Sequence, residues 1–282
     1  MKKIFAGIVC VTLIITCLLF SCKKPGGNVE PNNIVFDSVN VSKVYHLDND
    51  STKPSCSLKI QYIFPVEYKN KDVLNKIQGE LNVALMEDET YQLLSPSDAV
   101  KKYAEDYITN YKQEAETQFG NWEESDESED YFSYYKTIKT NIVFDKADLL
   151  SYQVVSMDYK GGASSSTIYR NIVLDLTTGN QLTEKDIFID DYSKSLNQLL
   201  SHEVIKQNGV KSAEDLLELG FWGIEDLTSN NNFSVDEKGL TYIINQGEYS
   251  APSLGEIRIF FPYSEILDLL KENSPISRLT GK

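Results

Sequence analysis

Histidine is almost absent from this chain: there are two in 282 residues, His46 and His202. Neither stands at metal-binding spacing. His202-Glu203 is followed by Val204, Ile205 and Lys206, where a zinc-protease helix needs a second histidine. His46 ends a predicted strand, and His202 lies off the apolar stripe of its helix. Cysteine is nearly as scarce. Of four, Cys10 and Cys17 fall inside an N-terminal apolar run, Cys22 closes that run, and only Cys56 lies in the body of the chain. With Cys22 assigned as below, no intramolecular disulfide is available. Cys56 sits in the alternating stretch Ser55-Cys56-Ser57-Leu58-Lys59-Ile60, which predicts a buried strand thiol and not a nucleophile, since no neighbouring His or Arg would lower its pKa. Positive charge is also short: 27 Lys and Arg stand against 42 Asp and Glu, a net charge of −15. That excludes nucleic acid, which needs a basic footprint, and disfavours flat adsorption to anionic lipid. It favours a cationic partner through long-range steering, although acidity also serves simply to keep an exported protein soluble. There is no Gly-x-Ser-x-Gly elbow and no phosphate-cradling glycine loop.

What is present begins with an address. Met1-Lys2-Lys3 is a short cationic start, Ile4 to Phe20 carries no charge, and Leu19-Phe20-Ser21-Cys22 follows. This order predicts a secretory signal over residues 1–21. Leu three before and Ser just before a cysteine match the lipobox, so Cys22 is the expected lipidation site and new N-terminus, anchoring the chain to a membrane by acyl groups. Loss of Lys2 and Lys3 makes the remainder two charges more negative. Residues 22–33, rich in Lys, Pro, Gly and Asn, predict a flexible tether. Lys23 and Lys24 stand where surface-directed lipoproteins carry acidic residues, so the expected location is the cell envelope, facing the periplasm.

Val35–His46 and Cys56–Val66 alternate as strands do, about the polar turn Leu47–Pro54. Asn70 caps a helix with apolar Leu74, Ile77, Leu81 and Leu85. A second helix starts at Ser95-Pro96, with the stripe Val100, Tyr103, Tyr107, Tyr111, Ala115 and Phe119. Glu123 to Asp130 is an acidic loop. Tyr131–Phe144, Leu149–Tyr159 and Thr167–Leu176 predict a meander, turning at Asp145–Asp148 and at Thr177–Asn180. A helix from Asp191 follows, then a short one capped by Ser212 and Asp215, a hairpin over Phe233–Asn245 turning at Asp236–Gly239, a strand over Glu256–Phe261 and a terminal helix over Tyr263–Leu270. Trp222 is expected in the core. Segregated runs of this kind predict an α+β fold, mostly antiparallel sheets with helices packed on one side, in two subdomains: 34–175 and 176–282.

Three motif fragments carry no chemistry. Ser133-Tyr134-Tyr135-Lys136 has the Ser-x-x-Lys spacing of penicillin-interacting enzymes but sits in a strand pattern, which places residues three apart on opposite faces. Asp48-Asn49-Asp50 lacks the glycine and distal glutamate of a calcium loop. With so many acids, a glycosidase-like carboxylate pair is always available somewhere, and nothing singles one out.

In the C-terminal half, Tyr159-Lys160-Gly161-Gly162-Ala163, then Asn171 through Thr183 with its Asp-Leu-Thr-Thr-Gly turn, Asp186-Ile187-Phe188, Phe233-Ser234-Val235, Gly239-Leu240-Thr241-Tyr242, Glu248-Tyr249-Ser250-Ala251-Pro252 and Ile257 through Ile266 occur in an order that resembles the RsiV-type extracytoplasmic module. The resemblance covers roughly residues 140–270. It implies a relative of the lysozyme-sensing ectodomain of an anti-sigma factor and of the accessory domain of peptidoglycan deacetylases. It implies candidate ligand-facing residues at Tyr159, Gly161, Gly162, Ser164, Glu248 and Tyr249. Two positions depart from the pattern: Ser164 stands where histidine is usual, and Gln246-Gly247 replaces an aromatic before Glu248. Neither a deacetylase domain nor a cytoplasmic sigma-binding segment is expected in this chain. The expectation is a non-catalytic envelope lipoprotein without cofactor or metal, binding a cationic, lysozyme-like protein or a peptidoglycan-related ligand. The alternatives are an envelope glycan hydrolase using paired carboxylates, and a structural subunit of an envelope complex.

Overall fold

A computed structural model describes residues 29–118, 129–161 and 165–280. Strands β1 (Val35–His46) and β2 (Ser55–Glu67) form an antiparallel hairpin. From Ser55 to Phe64 the side chains of β2 alternate, with Cys56, Leu58, Ile60, Tyr62 and Phe64 buried, the period-two signature of a sheet covered on one face. The cover comes next. Helix α1 (Lys71–Met86) starts where Asn70 accepts hydrogen bonds from the Asp72 and Val73 N–H groups, and it buries Val73, Ile77, Leu81 and Leu85. Gly79 is required inside it: a Cβ there would lie 2.9 Å from the Gln92 carbonyl oxygen, because the following turn folds back onto the helix. Helix α2 (Pro96–Gln118) is capped by the Ser95 hydroxyl, which accepts from the Asp98 N–H at 3.2 Å.

The chain then returns to the sheet. Strand β3 (Tyr134–Lys146) lies parallel to β2, and β4 (Leu149–Lys160), β5 (Ser166–Asp175) and the short β6 (Asn180–Leu182) follow antiparallel. The six strands stand in sequence order, with β1 and β6 at the edges. The single parallel pair arises because α1 and α2 form the crossover between β2 and β3. A second unit contains α3 (Glu184–Ile187), α4 (Tyr192–Gln207), α5 (Ala213–Leu216), the antiparallel sheet β7 (Phe233–Val235), β8 (Gly239–Ile244) and β9 (Ile257–Pro262), then α6 (Tyr263–Ile266) and α7 (Ser277–Thr280). The α+β class with mostly antiparallel sheets is thus the observed one.

Two apolar clusters fill the molecule. One lies between α1, α2 and the large sheet. The other centres on α4 and the small sheet, yet includes Phe144, Leu149 and Val173 from the large one. Ser151 joins the sheets, its hydroxyl donating to the Val235 carbonyl at 2.7 Å and accepting from its N–H at 2.9 Å. A division at 175/176 therefore falls between two strands that pair with each other, β5 and β6.

Three local expectations need correction. The stretch expected as tether, 22–33, is not free at its end. Asn32 is 7% exposed, its amide donates to Asp145 Oδ1 and to the Leu149 carbonyl, and its Oδ1 accepts from the Asp148 N–H. The cause lies in the β3–β4 hairpin, whose turn residues Ala147 and Asp148 have φ of 58° and 52°. That left-handed turn presents two N–H groups, and Glu30 and Asn32 accept them. The helix expected over Tyr263–Leu270 is an α-helix to Ile266 and a tighter 3-10 turn over Leu267–Leu269, ending where Leu270 pairs with Phe188, and α7 follows it. Trp222 is 43% exposed and not in the core. His202 is exposed. Phe119 and the acidic stretch up to Ser128 lie outside the described residues, as do the signal segment and Cys22.

Cys56 is fully buried, and burial pushes its thiol up to about 12. In the folded chain at pH 8, maleimide is therefore expected to modify Cys56 roughly a hundredfold or more slowly than in denaturant. Peptide-resolved mass spectrometry after a timed pulse measures this, and equal rates in the two conditions would contradict the buried placement.

Candidate functional site

A concavity of about 620 Å3 opens between the end of α1, strand β5 and the segments before β7 and after β8. Its floor is built from asparagine. Strand β6 pairs only with residues 173–175 of β5, so the backbone of β5 before that point faces no strand on this side. Side chains take the missing strand's place. Asn245 accepts from the Tyr169 N–H at 2.8 Å and donates to the Tyr169 carbonyl at 3.2 Å. Asn232 accepts from the Asn171 N–H at 2.7 Å and donates to the Tyr169 and Ile243 carbonyls. Gln246 accepts from the Thr167 N–H at 3.3 Å. An amide side chain carries one acceptor and a donor pair, so it can mimic a peptide group along an edge. These amides are consumed by the fold and are not presented to a ligand.

The segment carrying them is fixed from beneath by Glu184, 2% exposed at the start of α3. Its Oε1 accepts from the Asn231 N–H at 2.8 Å. Its Oε2 accepts from the Ser229 hydroxyl at 2.7 Å and the Tyr192 hydroxyl at 3.1 Å. The Glu184 N–H in turn donates to Asn231 Oδ1.

The rim is acidic. Glu80, Glu87, Asp88, Glu89 and Glu248 line the cleft against one cation, Arg170. Four of these acids sit in or just after the last turns of α1, where the helix dipole already places partial negative charge and where the last turn holds no basic residue. Arg170 shows what such a place attracts: its guanidinium donates to the Ala84 carbonyl at 2.9 Å and pairs with Glu87 at 2.6 Å. Glu87 itself ends the helix with φ of 60°. Burial raises the Glu80 carboxyl above its ordinary value, with Lys76 opposing.

The residues singled out by sequence separate. Glu248 lines the cleft and is exposed. Tyr249, next to it, is held away: its carbonyl accepts from the Trp222 N–H at 3.0 Å and its ring lies 3.8 Å from where a Gly223 Cβ would stand. Tyr159 stacks on Tyr135 with ring centroids 5.1 Å apart. The cleft residue Tyr169 pairs with Val155, which places Tyr159 roughly 13 Å farther along β4. Gly161 has φ of 71° and a Cβ on it would stand 1.9 Å from the Tyr131 carbonyl oxygen, so this glycine serves a close backbone approach. Gly162 and Ser164 lie outside the described residues. Of the four candidates among the described residues, Glu248 lines the cleft, and Tyr159, Gly161 and Tyr249 are not among its lining residues. Glu80, Glu87, Asp88 and Glu89, which the sequence hid among ordinary exposed helix-end acids, join Glu248 instead. Ser133 and Lys136 belong to structural contacts: the Ser133 hydroxyl accepts from the Ser55 N–H, and Lys136 lies 3.6 Å from Asp158. Among the described residues no three His, Cys, Asp or Glu side chains are placed to share a metal ion, and no helix is long and apolar enough to cross a membrane.

No curated protein matches the chain. Similar solved structures include two DUF3298 family proteins. A DUF3298 family protein from Pseudomonas aeruginosa shares the fold, with 12% identity and a TM-score of 0.58 over 85% of this chain and 96% of that one. A member of the DUF3298 family from Bacteroides fragilis is 26% identical, with a TM-score of 0.83 over 90% of this chain and all of that one. Residues 185–264, which carry the small sheet, the asparagine segment and Glu248, match the family model described as a protein of unknown function, DUF3298, so that the chain has the fold of solved DUF3298 proteins and contains a DUF3298 match at the side of the cleft.

Proposed function

We propose that this chain is a non-catalytic lipoprotein of the cell envelope whose acidic cleft receives cationic groups of a protein or cell-wall ligand. The observation that carries the proposal is the rim: five carboxylates and a helix C-terminus around one concavity, with one arginine among them. A cleft lined by one sign of charge concentrates ligands of the other. Exposed Leu217, Leu219, Trp222 and Leu254 support a protein as the ligand, since exposed apolar side chains, tryptophan above all, are favoured at protein contacts. The RsiV-type resemblance makes a lysozyme-like protein the concrete version, and the lipobox at Cys22 supports a lipid anchor that would hold the domain beside a membrane.

Calorimetric titration of lysozyme into the detergent-solubilised full chain, across a salt series, tests this. Binding is expected at low salt, weakening as the screening length falls toward about 8 Å at physiological ionic strength. The triple variant E87Q/D88N/E89Q should weaken it roughly tenfold or more. Lack of binding at low salt removes the lysozyme version, and binding that ignores the triple variant removes the cleft.

One observation bears on the glycan-hydrolase alternative: Glu80, whose carboxyl is raised by burial, lines the cleft together with other carboxylates. New reducing ends released from peptidoglycan by the chain, and lost in Glu80→Gln, would establish it in place of the binding role.

A further inference from the structure

Strand β1 is an edge of the large sheet, twelve residues long, and among the described residues no backbone hydrogen bond reaches its outer side. Long edges are normally blunted by proline, a bulge or an inward charge, because they offer unpaired N–H and C=O groups to any other strand. β1 has no proline, and its one register shift lies at its start, between Val35 and Phe36. Where helix α2 meets Tyr45 of β1 it packs on the face and not over the edge: Tyr111 meets Tyr45 edge-on and Lys112 lies over the Tyr45 ring.

The phase of the free edge can be read from β2. The Ile63 N–H donates to Thr140 Oγ1 of β3, and the Gln61 carbonyl accepts from the same hydroxyl. Those two residues therefore direct their backbone groups toward β3, and their partners across the β1–β2 ladder, Ser38 and Asn40, direct theirs outward. The Ser38 N–H agrees, since it is satisfied only by the neighbouring Asp37 carboxylate at 2.7 Å. The outward groups thus belong to the even-numbered residues Ser38, Asn40, Ser42 and Val44.

The side chains along this edge are symmetric about Asn40. Val39 is matched by Val41, Ser38 by Ser42, Asp37 by Lys43, and the apolar Phe36 by Val44. A second β1 laid antiparallel with Asn40 opposite Asn40 would put each of these pairs face to face. Such a register joins outward residues to outward residues, as the hydrogen-bond phase demands, and keeps each side chain on its own face of the sheet. Slipping the register by two residues toward either end preserves the phase but sets Asp37 against Val41 or Tyr45, and Lys43 against Val35 or Val39. Asp37 and Lys43 are exposed and, among the described residues, neither forms an ion pair within its own chain.

We propose that β1 is a self-pairing edge: two copies of this chain join by antiparallel β1–β1 pairing about a two-fold axis at Asn40, with Asp37 of each copy against Lys43 of the other. The pairing forms one continuous sheet through both molecules, carries the helical layers on the same face, and leaves both acidic clefts open at the far edges beside β5. An isologous contact of this kind closes on itself and does not propagate into fibres.

Sedimentation velocity of the detergent-solubilised full chain, with circular dichroism as a check on folding, tests it by charge exchange. The wild type is expected to dimerise. Asp37→Lys and Lys43→Asp each replace two attractions with two repulsions in the symmetric pair, and each should raise the dimer dissociation constant roughly tenfold to a hundredfold. The double variant D37K/K43D restores opposite charges and should return to the wild-type value. A wild type that stays monomeric up to roughly 100 μM overturns the proposal, and leaves the edge to a strand from a different protein. A dimer indifferent to both single changes places the contact elsewhere. Loss of the dimer in the single variants without recovery in the double overturns the register.

Discussion

Glu184→Ala is expected to lower the stability of the folded chain by about 3 kcal/mol, since it leaves several buried or half-buried donors without a charged acceptor. The carboxylate accepts from the Asn231 N–H, the Ser229 hydroxyl and the Tyr192 hydroxyl, and it is 2% exposed. Water cannot replace it without opening the loop. Glu184→Gln keeps one acceptor oxygen but turns an NH2 group toward a donor, so its cost should fall between that of Ala and zero. The effect is local as well as global. Asn231 sits between Asn230 and Asn232, and Asn232 holds the Asn171 N–H on the edge of β5. Exchange of the Asn171 amide should therefore accelerate in Glu184→Ala more than that of the Tyr169 amide, which Asn245 holds from the following segment. Denaturant titration and amide exchange measure the two parts. A shift in the unfolding midpoint worth under about 1 kcal/mol, with both amides unchanged, would show that the asparagine segment stands without this anchor.

Asn82→Ala is expected to cost about as much or more, near 3–4 kcal/mol, for a lost network and the cavity it leaves. Asn82 is fully buried on the inner face of α1. It donates to the Tyr91 carbonyl at 3.1 Å and the Leu94 carbonyl at 2.9 Å, and it accepts from the Tyr62 hydroxyl at 3.0 Å. One amide thus ties the sheet, the first helix and the turn into the second helix. Tyr62→Phe removes only one of these bonds and should cost about 1 kcal/mol. In a double-mutant cycle the two changes should couple, because Ala at 82 already strands the Tyr62 hydroxyl. Strict additivity would sink the idea of a shared network.

Much of this fold is local chemistry. Asn70 before an apolar stripe announces α1, Ser95-Pro96 announces α2, and alternation announces β1 through β5, because a cap or a period is satisfied within a few residues. Three elements were invisible for the opposite reason. The docking of residues 29–33 depends on two N–H groups of the distant Ala147–Asp148 turn. β6 is three residues long, too short to show a period. The parallel placement of β3 beside β2 follows from a crossover that no local pattern encodes.

The candidate site divides in the same way. Glu248 is singled out by the family resemblance, and it does line the cleft. Tyr159 and Gly161 stand out in sequence, and the structure gives each a structural contact: ring stacking for Tyr159 and a carbonyl 1.9 Å from a would-be Cβ for Gly161. Glu87, Asp88, Glu89 and Asn230 to Asn232 carry no local motif, and only the fold brings them to one cleft.

By itself, then, the sequence determined the α+β class, the boundaries of its capped helices, the symmetry of β1 about Asn40, and the lipobox that sets the expectation of an envelope anchor. All of these depend on residues that are neighbours in the chain. Tertiary structure alone decided that asparagine side chains complete the edge of β5, that Glu184 holds them there, and that acids from α1 meet Glu248 around one cleft. Each of those joins segments scores of residues apart, and no one-dimensional period reports a contact made only when separate backbones bring their unpaired groups together.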